Sequence, residues 1–362
     1  MAHAESARAS GLIAVTMGDP AGVGPELVLK AFVARSTDAP RWVWLGDPEV
    51  LAWAARAVGL PCSLAVLSDV REAQGLDPKA LPVLPTTHKV DRDHLHFGVA
   101  HGGHAQAVVE SIRMACDLAM GGLVDGVATP PINKSALHLG GFDIPGHTEL
   151  LGQFTHSATP PVMMLAGRGL RVIPATIHQS LASVPQALTV EGLAQTLVTT
   201  AVALAQDFSL PHPPHIAVTG LNPHAGEAGA FGDEESRIIE PAMALASTML
   251  QSTGLISRWE MTGPWPADSL FSERSRSRYD AIVCMYHDQA LIPIKMLAFG
   301  EAVNITLGLP IVRASVDHGT AYDLAGRGAA DHRSLLIAIE SAAQMAASRR
   351  MWRAQHGEAA HA

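Results

Sequence analysis

Residues 279–328 read YDAIVCMYHDQALIPIKMLAFGEAVNITLGLPIVRASVDHGTAYDLAGRG. Asp280 to Met285 is apolar and β-branched enough for a buried strand, and His287-Asp288 falls where that strand ends. In an open α/β sheet, ligands bind at the carboxyl ends of strands. Lys295, Asn304 and Arg313 then follow at nine-residue intervals, each beside an apolar run that can hold it rigidly. A cation, an amide and a guanidinium so placed suit a small polyanionic ligand. Taken singly, a His, Lys or Arg is more often structural or solvated. Their concentration in one stretch is what favours a site.

The composition fits that reading. Hydrophobic residues make up 48% of the 362 and charged residues 16%, so a large core is available and two domains or one large one are expected. A net charge of -9 argues against nucleic acid or an anionic membrane as partner. Any phosphate site must then be a local pocket. Cys62, Cys116 and Cys284 are odd in number and form no CxxC pair, which fits a reducing cytosol. The start, MAHAESARAS, lacks the apolar run of a signal peptide, and no stretch is long enough to span a bilayer, so a cytoplasmic protein is expected. The 18 histidines are the compositional oddity and bring metal binding into question.

Working outward, Leu12 to Met17 reads as a strand leading into GDPAGVGPE, where Pro25 and Glu26 make a sound helix start. This is neither GxGxxG nor a phosphate loop with Lys-Ser/Thr, so a strand-to-helix turn is the plain reading. Arg41 to Leu45 and Leu64 to Leu67 read as short strands around a helix at Pro48 to Val58. Pro78 to Pro85 reads as a loop. His94, His96, His101 and His104 have a spacing that tempts a metal assignment, but a polar loop entering a helix explains them better. That helix follows from Ala105, with Val108, Ile112 and Ala115 at helical spacing. Val124 to Ala128 reads as a strand, and Gly146-His147-Thr148-Glu149 then sets hydrogen-bonding side chains beside a glycine. Val162 to Thr176 reads as a β-hairpin turning at Gly167-Arg168-Gly169, with Pro174 making its second strand an edge. Thr189 to Asp207 reads as an amphipathic helix and His215 to Gly220 as a strand. Asp268 lies in a Pro-rich loop, Arg274, Arg276 and Arg278 in a solvated one, and Arg333 to Arg350 forms a last amphipathic helix. His178, His224 and His287 each lie just past a strand, so three histidines far apart in sequence can converge on one ion.

Eight stretches together resemble the 4-hydroxythreonine-4-phosphate dehydrogenase family of vitamin B6 biosynthesis: VTMGDPAGVGPE, TPPINKSAL, GHTELL, GLNPHAGE, GPWPADSLF, YHDQALIPIK, VNITLGLPIVR and SVDHGTAYDLAGRG. They run from Val15 to Gly328. The last also resembles the cofactor loop of isopropylmalate and isocitrate dehydrogenases, whose fold the family shares. The resemblance implies an α/β protein of two α/β/α domains with a cleft between them. Residues 11–137 plus 309–350 would form the first and 138–308 the second. It further implies a homodimer whose active site is shared between subunits, metal ligands at His178, His224 and His287, and substrate contacts at His147, Thr148, Lys295, Asn304 and Arg313. Asn304, His318, Gly319 and Asp323 fall where related folds hold the dinucleotide.

The implied reaction oxidises the C3 hydroxyl of 4-phosphooxy-L-threonine with NAD or NADP. The 3-oxo product is a β-keto acid that loses CO2 to give 3-amino-2-oxopropyl phosphate. Three neutral imidazoles leave coordination positions open, the pattern of a catalytic site, and favour Zn2+ or Co2+ over Mg2+ on softness. Lys295 is the candidate to bind phosphate or carboxylate or to move a proton, and Asp268 to orient a histidine or receive one. Rival readings are a dehydrogenase of 4-phospho-D-threonate or 4-phospho-D-erythronate, a metal-dependent hydrolase, and a non-catalytic metal-binding protein. The last is weakened because the histidines are dispersed on separate strand ends.

Overall fold

The computed structural model describes residues 11–144, 146–254 and 256–356. The N-terminal extension and residues 357–362 of the tail lie outside the described residues. The chain is mixed α/β. It divides into a unit reaching to Pro161 and completed by Leu309–Ala347, and a second comprising Val162–Gly308 with the residues from Ser348 on. Residues 138–161, expected in the second domain, group with the first unit.

In the first unit the strands are β1 (Leu12–Thr16), β2 (Arg41–Leu45), β3 (Ser63–Val66), β4 (Ala80–Leu84) and β5 (Gly126–Thr129). In the second they are β6 (Val162–Gly167), β7 (Leu170–Pro174), β8 (His215–Thr219), β9 (Glu260–Trp265), β10 (Ala281–Cys284) and β11 (Val303–Leu307), and β12 (Arg313–Val316) returns to the first. The helices of the first unit are α1 (Gly24–Ala34), α2 (Pro48–Val58), α3 (Ala105–Met120), α4 (Lys134–Leu139) and α5 (His147–Phe154). Those of the second are α6 (Val184–Ala187), α7 (Val190–Asp207), α8 (Glu240–Thr253), α9 (Ala267–Leu270), α10 (Glu273–Arg276) and α11 (His287–Ala298), and α12 (Arg333–His356) follows β12.

The first unit's strands lie in the order β3-β4-β2-β1-β5-β12, every neighbouring pair parallel. A parallel strand covered on both faces needs a continuous apolar run, and LIAVT in β1 is buried at all five positions. Ile13, Trp44, Leu45 and Ile112 are fully enclosed, each aliphatic one contributing about 1.5–3 kcal/mol. Local chemistry sets the helix ends: Asp47 caps α2 by accepting from Glu49 N, Pro48 takes the first turn, and Gly59 closes it at φ 65°. The stretch 78–85, expected to be a loop, supplies β4 instead. Pro82 lies inside it opposite Ala65, with Leu81 and Val83 fully buried, so burial outweighs the one donor that proline lacks.

The second unit runs β11-β6-β7-β10-β8-β9, antiparallel through the first three strands and parallel thereafter. Its β6–β7 hairpin turns at Arg168 and Gly169, both at positive φ, as a two-residue turn between twisted strands requires. β7 is an interior strand, against the edge expected from Pro174. The proline occupies the last strand position, and the ladder continues with Ala175 N donating to Cys284 O at 2.7 Å. The arginine run at 274–278 includes the short helix α10. α12 extends to His356, and its enclosed residues include Arg349, which forks onto buried Asp207 at 2.6 and 2.7 Å. No single helix among the described residues is long and apolar enough to cross a membrane.

Candidate active site

In the second unit, β7, β10 and β8 are parallel neighbours, so their carboxyl ends share one edge of the sheet. His178, His287 and His224 follow those three strands. Thr176 Oγ1 donates to Met285 O at 2.8 Å and pins the first two ends together. The rings of His178 and His287 have centroids 6.1 Å apart. Two imidazoles on one tetrahedral ion would stand about 5 Å apart, so a small side-chain movement brings this pair to a shared metal. His287 begins α11, with Nδ1 2.7 Å from Asp288 Oδ1, a contact that fixes ring orientation and leaves Nε2 available. Among the described residues the three histidines do not bring one ligand atom each to within 4.8 Å of one another. Three imidazole donors suit Zn2+ or Co2+, and the pair's spacing fits such an ion.

His224 sits on an unusual backbone. Residues 224–228 all adopt positive φ, from 43° to 81°, a region that costs non-glycine residues about 1–3 kcal/mol each when held there. Buried Glu235 supports the run, accepting from Leu221 N at 2.8 Å, Asn222 N at 2.9 Å and Asn222 Nδ2 at 3.1 Å. Gln289, one turn into α11, accepts from Thr219 Oγ1 at 2.8 Å and Met285 N at 2.7 Å, and donates to Gly220 O at 2.8 Å. It ties the ends of β8 and β10 together. Neither Glu235 nor Gln289 stood out in the sequence, because each acts on backbone that only the fold brings near.

Lys295 lies two turns beyond His287 on α11, and both line a cavity of ≈ 430 Å³ with Leu291 and Met296. Asp268, on α9, is exposed and makes no hydrogen bond to the three histidines among the described residues. Asn304 lies on β11 with its Oδ1 enclosed and unpartnered. Such an acceptor costs about 1–3 kcal/mol until a donor arrives.

The first unit gathers the cations. Arg313 on β12 is 2% exposed and donates from Nε and Nη2 to Thr129 Oγ1 at 3.2 and 2.5 Å. Burial pushes its guanidinium down to about 9, against the pull of Cys116. His147 opens α5 with Nε2 enclosed and unpartnered, and its imidazole is held well below the usual range by burial, then by Arg313 and Lys134. Thr148 follows it, half-buried. Lys134, absent from the sequence-based set, begins α4 within 3.6 Å of the position a side chain at Gly146 would take. Arg313, His147 and Lys134 thus lie close enough to act on one another electrostatically, a grouping whose charge suits an anion.

The glycine loops converge as well. Val23 N donates to Thr320 O at 3.0 Å, and Tyr322 Oη to Asp19 Oδ2 at 2.5 Å. Glu26, fully buried, accepts from Gly328 N at 3.2 Å and Ala330 N at 2.9 Å. The loop at 18–24 and the loop at 318–328 are therefore held against each other. His318 braces the second, with Nδ1 2.9 Å from Gly319 O and Nε2 3.1 Å from Ser334 Oγ. Gly319 and Asp323 are exposed, and no atom lies within 4 Å of a side chain built at Gly319.

The sequence profile described as "Pyridoxal phosphate biosynthetic protein PdxA" matches residues 38–342. A Caulobacter vibrioides protein named 4-hydroxythreonine-4-phosphate dehydrogenase is 45% identical over 344 residues, 93% of this chain and 98% of its own. The Paracoccus denitrificans protein of the same name is 46% identical over 347 residues, with shares of 93% and 98%. The crystal structure of 4-hydroxythreonine-4-phosphate dehydrogenase from Klebsiella pneumoniae superposes with a TM-score of 0.82 at 38% identity, covering 92% of this chain and 98% of that one.

Proposed function

Because the chain belongs to the pyridoxal phosphate biosynthetic protein PdxA family, we propose that it oxidises 4-phosphooxy-L-threonine with NAD or NADP. The product is 2-amino-3-oxo-4-phosphooxybutanoate, which decarboxylates to 3-amino-2-oxopropyl phosphate. As a dehydrogenase it is an oxidoreductase acting on a CH–OH group. The observation that carries the reading to this chain's own residues is the enclosed Arg313 guanidinium with the neutral His147 imidazole and Lys134 beside it, a grouping whose charge suits a small anionic substrate.

Arg313 and Lys134 bind the charged ends of the substrate, and His147, kept neutral, hydrogen-bonds beside them with Thr148. Asn304 Oδ1 accepts from a substrate or cofactor donor. His178, His224 and His287 hold a divalent ion, which when bound polarises the substrate hydroxyl as a Lewis acid. Lys295 or Asp268 would take the hydroxyl proton, and NAD or NADP, when bound, would supply the acceptor for the C3 hydride. The loop of His318, Gly319 and Asp323, fixed to α1 through Glu26, supports the dinucleotide at close backbone approach.

A homodimer with a shared active site is part of the proposal. Ile292, Met296 and Phe299 on α11 are 58%, 84% and 83% exposed beside Lys295, an apolar stripe that a second copy would cover. That the three histidines do not close to within 4.8 Å of one another among the described residues of one chain supports a ligand set completed by a partner. The cytoplasm is the proposed compartment. The test is turnover with NAD and with NADP on 4-phosphooxy-L-threonine, 4-phospho-D-threonate and 4-phospho-D-erythronate, each with and without chelator. Chelator-sensitive reduction with the amino acid preferred supports the reading, and preference for either aldonate moves the enzyme to another substrate. Phosphate release without cofactor reduction would make it a hydrolase.

A further inference from the structure

The histidines preceding α3, explained from sequence as a polar loop, are brought together by the fold. Asp91, His94 and His101 each present a ligand atom, all within 4.8 Å of one another. His94 Nδ1 lies 2.8 Å from Asp91 Oδ2, and the rings of His94 and His101 stack with centroids 4.5 Å apart. Gly103 closes the cluster from below: a side chain there would meet Asp91 Oδ2 and His101 Nδ1, both at 3.0 Å. The second, independent feature is His104. It is 2% exposed, its centroid is 5.3 Å from that of His101, and neither ring nitrogen completes a well-formed hydrogen bond, a weak approach to the His94 backbone aside. A buried imidazole so poorly partnered, behind a carboxylate and two imidazoles, is costly unless something fills it.

We propose that Asp91, His94 and His101, with His104 behind them, form a second divalent transition-metal site in the first unit, separate from the strand-end histidines. Ligand atoms around a tetrahedral Zn2+ stand about 3.3 Å apart, so the widest separations in the group must contract by at most roughly 1.5 Å. The exposed His94 ring can make most of that movement. One carboxylate with imidazoles selects Zn2+, Co2+ or Ni2+ over Mg2+. The chain spacing, Asp-x-x-His followed by His-x-x-His, presents the ligands in pairs from the two ends of one loop.

Between those pairs lie Phe97 and Gly98, which set the consequence. Phe97 stacks on Trp53 at 3.6 Å and lies against Gly326, where a side chain would meet its ring, while Gly98 N donates to Ala21 O at 2.8 Å. An ion at the loop's base holds both ends of the segment that rests on the two glycine loops. Its role is structural: it fixes the floor of that surface and takes no part in hydride transfer.

The test uses full-length protein stripped of metal, carrying His178→Ala and His287→Ala so that the strand-end site is removed. This protein is saturated with Zn2+, freed of excess by gel filtration and assayed for bound metal and thermal midpoint. One ion per chain is expected, with a Zn2+-dependent rise in midpoint. Adding Asp91→Asn and His94→Gln, two changes that leave the hydrogen bond from Gly103 N to His101 Nδ1 at 3.2 Å in place, should weaken binding at least about 100-fold and abolish the rise. Should His178→Ala/His287→Ala protein fail to fold, the same pair of changes in the parent must lower its metal content by one ion per chain. Equal metal content with and without Asp91→Asn and His94→Gln overturns the proposal and leaves the strand-end site untouched.

Discussion

Replacing Arg313 by methionine separates what the guanidinium costs the fold from what it gives the substrate. Its fall from the ordinary arginine range to about 9 through burial corresponds, at about 1.4 kcal/mol per tenfold, to roughly 5 kcal/mol of penalty for keeping the charge enclosed. Arg313 is a base with a lowered folded-state value. The penalty is therefore complete below pH 9 and fades as the pH rises from there into the ordinary arginine range. Methionine removes it while nearly filling the volume, and leaves Thr129 Oγ1 without its donors at a cost of about 1–3 kcal/mol. The ligand-free Arg313→Met protein should thus be at least as stable as the parent at pH 7.5, by as much as about 4 kcal/mol in urea titration. Binding moves the other way. Two charge-assisted hydrogen bonds of about 1.5–3 kcal/mol each correspond to a loss of substrate affinity between about 10²- and 10⁴-fold. Arg313→Lys should recover little of it, because a point charge cannot reproduce a planar fork. Denaturation of the free protein and the substrate-induced thermal shift read the two effects separately. A methionine variant more than about 2 kcal/mol less stable that still binds substrate normally would refute the argument.

Three other outcomes are expected. His287→Ala should cost most of the strand-end metal and at least a hundredfold in kcat, measured by elemental analysis and turnover; full activity in metal-free protein would remove the ion from the mechanism. Gly319→Val should fold normally, since its side chain meets open space, and should raise the KM for NAD(P) far more than that for the phosphorylated substrate. Unchanged dinucleotide binding would place the nucleotide elsewhere. Gly226→Ala combines a φ of 81° with a clash 2.6 Å from Glu235 Oε2, so it should lower stability by at least about 2 kcal/mol and impair metal retention through His224. A neutral effect on both would mean that the left-handed run relaxes freely.

What the sequence revealed depended on how local the physics was. The helix at 48–58 was legible to the residue because Asp47, Pro48 and Gly59 act within one turn of its ends. The hairpin at 162–174 was legible from Arg168-Gly169 for the same reason. Strand β4 was missed because proline reads as punctuation, and only packing on both sides of it makes Pro82 tolerable. Placing three histidines past strands was possible from apolar runs, while their adjacency depended on the order β7-β10-β8, which no single run encodes. Lys134, Glu235 and Gln289 act through tertiary approach and left no periodic trace. His94, His96, His101 and His104 read as a polar loop because no strand end beside them marks a rigid site, and the approach of Asp91 to His94 and His101 depends on how that loop folds.

The two-segment construction of the first unit sets a timetable for synthesis. β5 has β12 as its neighbour, and the buried carboxylate of Glu26 finds its donors in Gly328 and Ala330. Between Pro161 and Leu309 the ribosome must make about 150 residues, an interval of roughly 7 to 30 s at ordinary elongation rates. Through that interval the nascent chain carries an open strand edge at β5 and an acid that has Lys30 nearby but not its two backbone donors, while the later-made second unit has nearly all of its own chain in hand. The part begun first is completed only after the body of the second, and it is there that a chaperone, a slow codon or a truncated message would leave its mark.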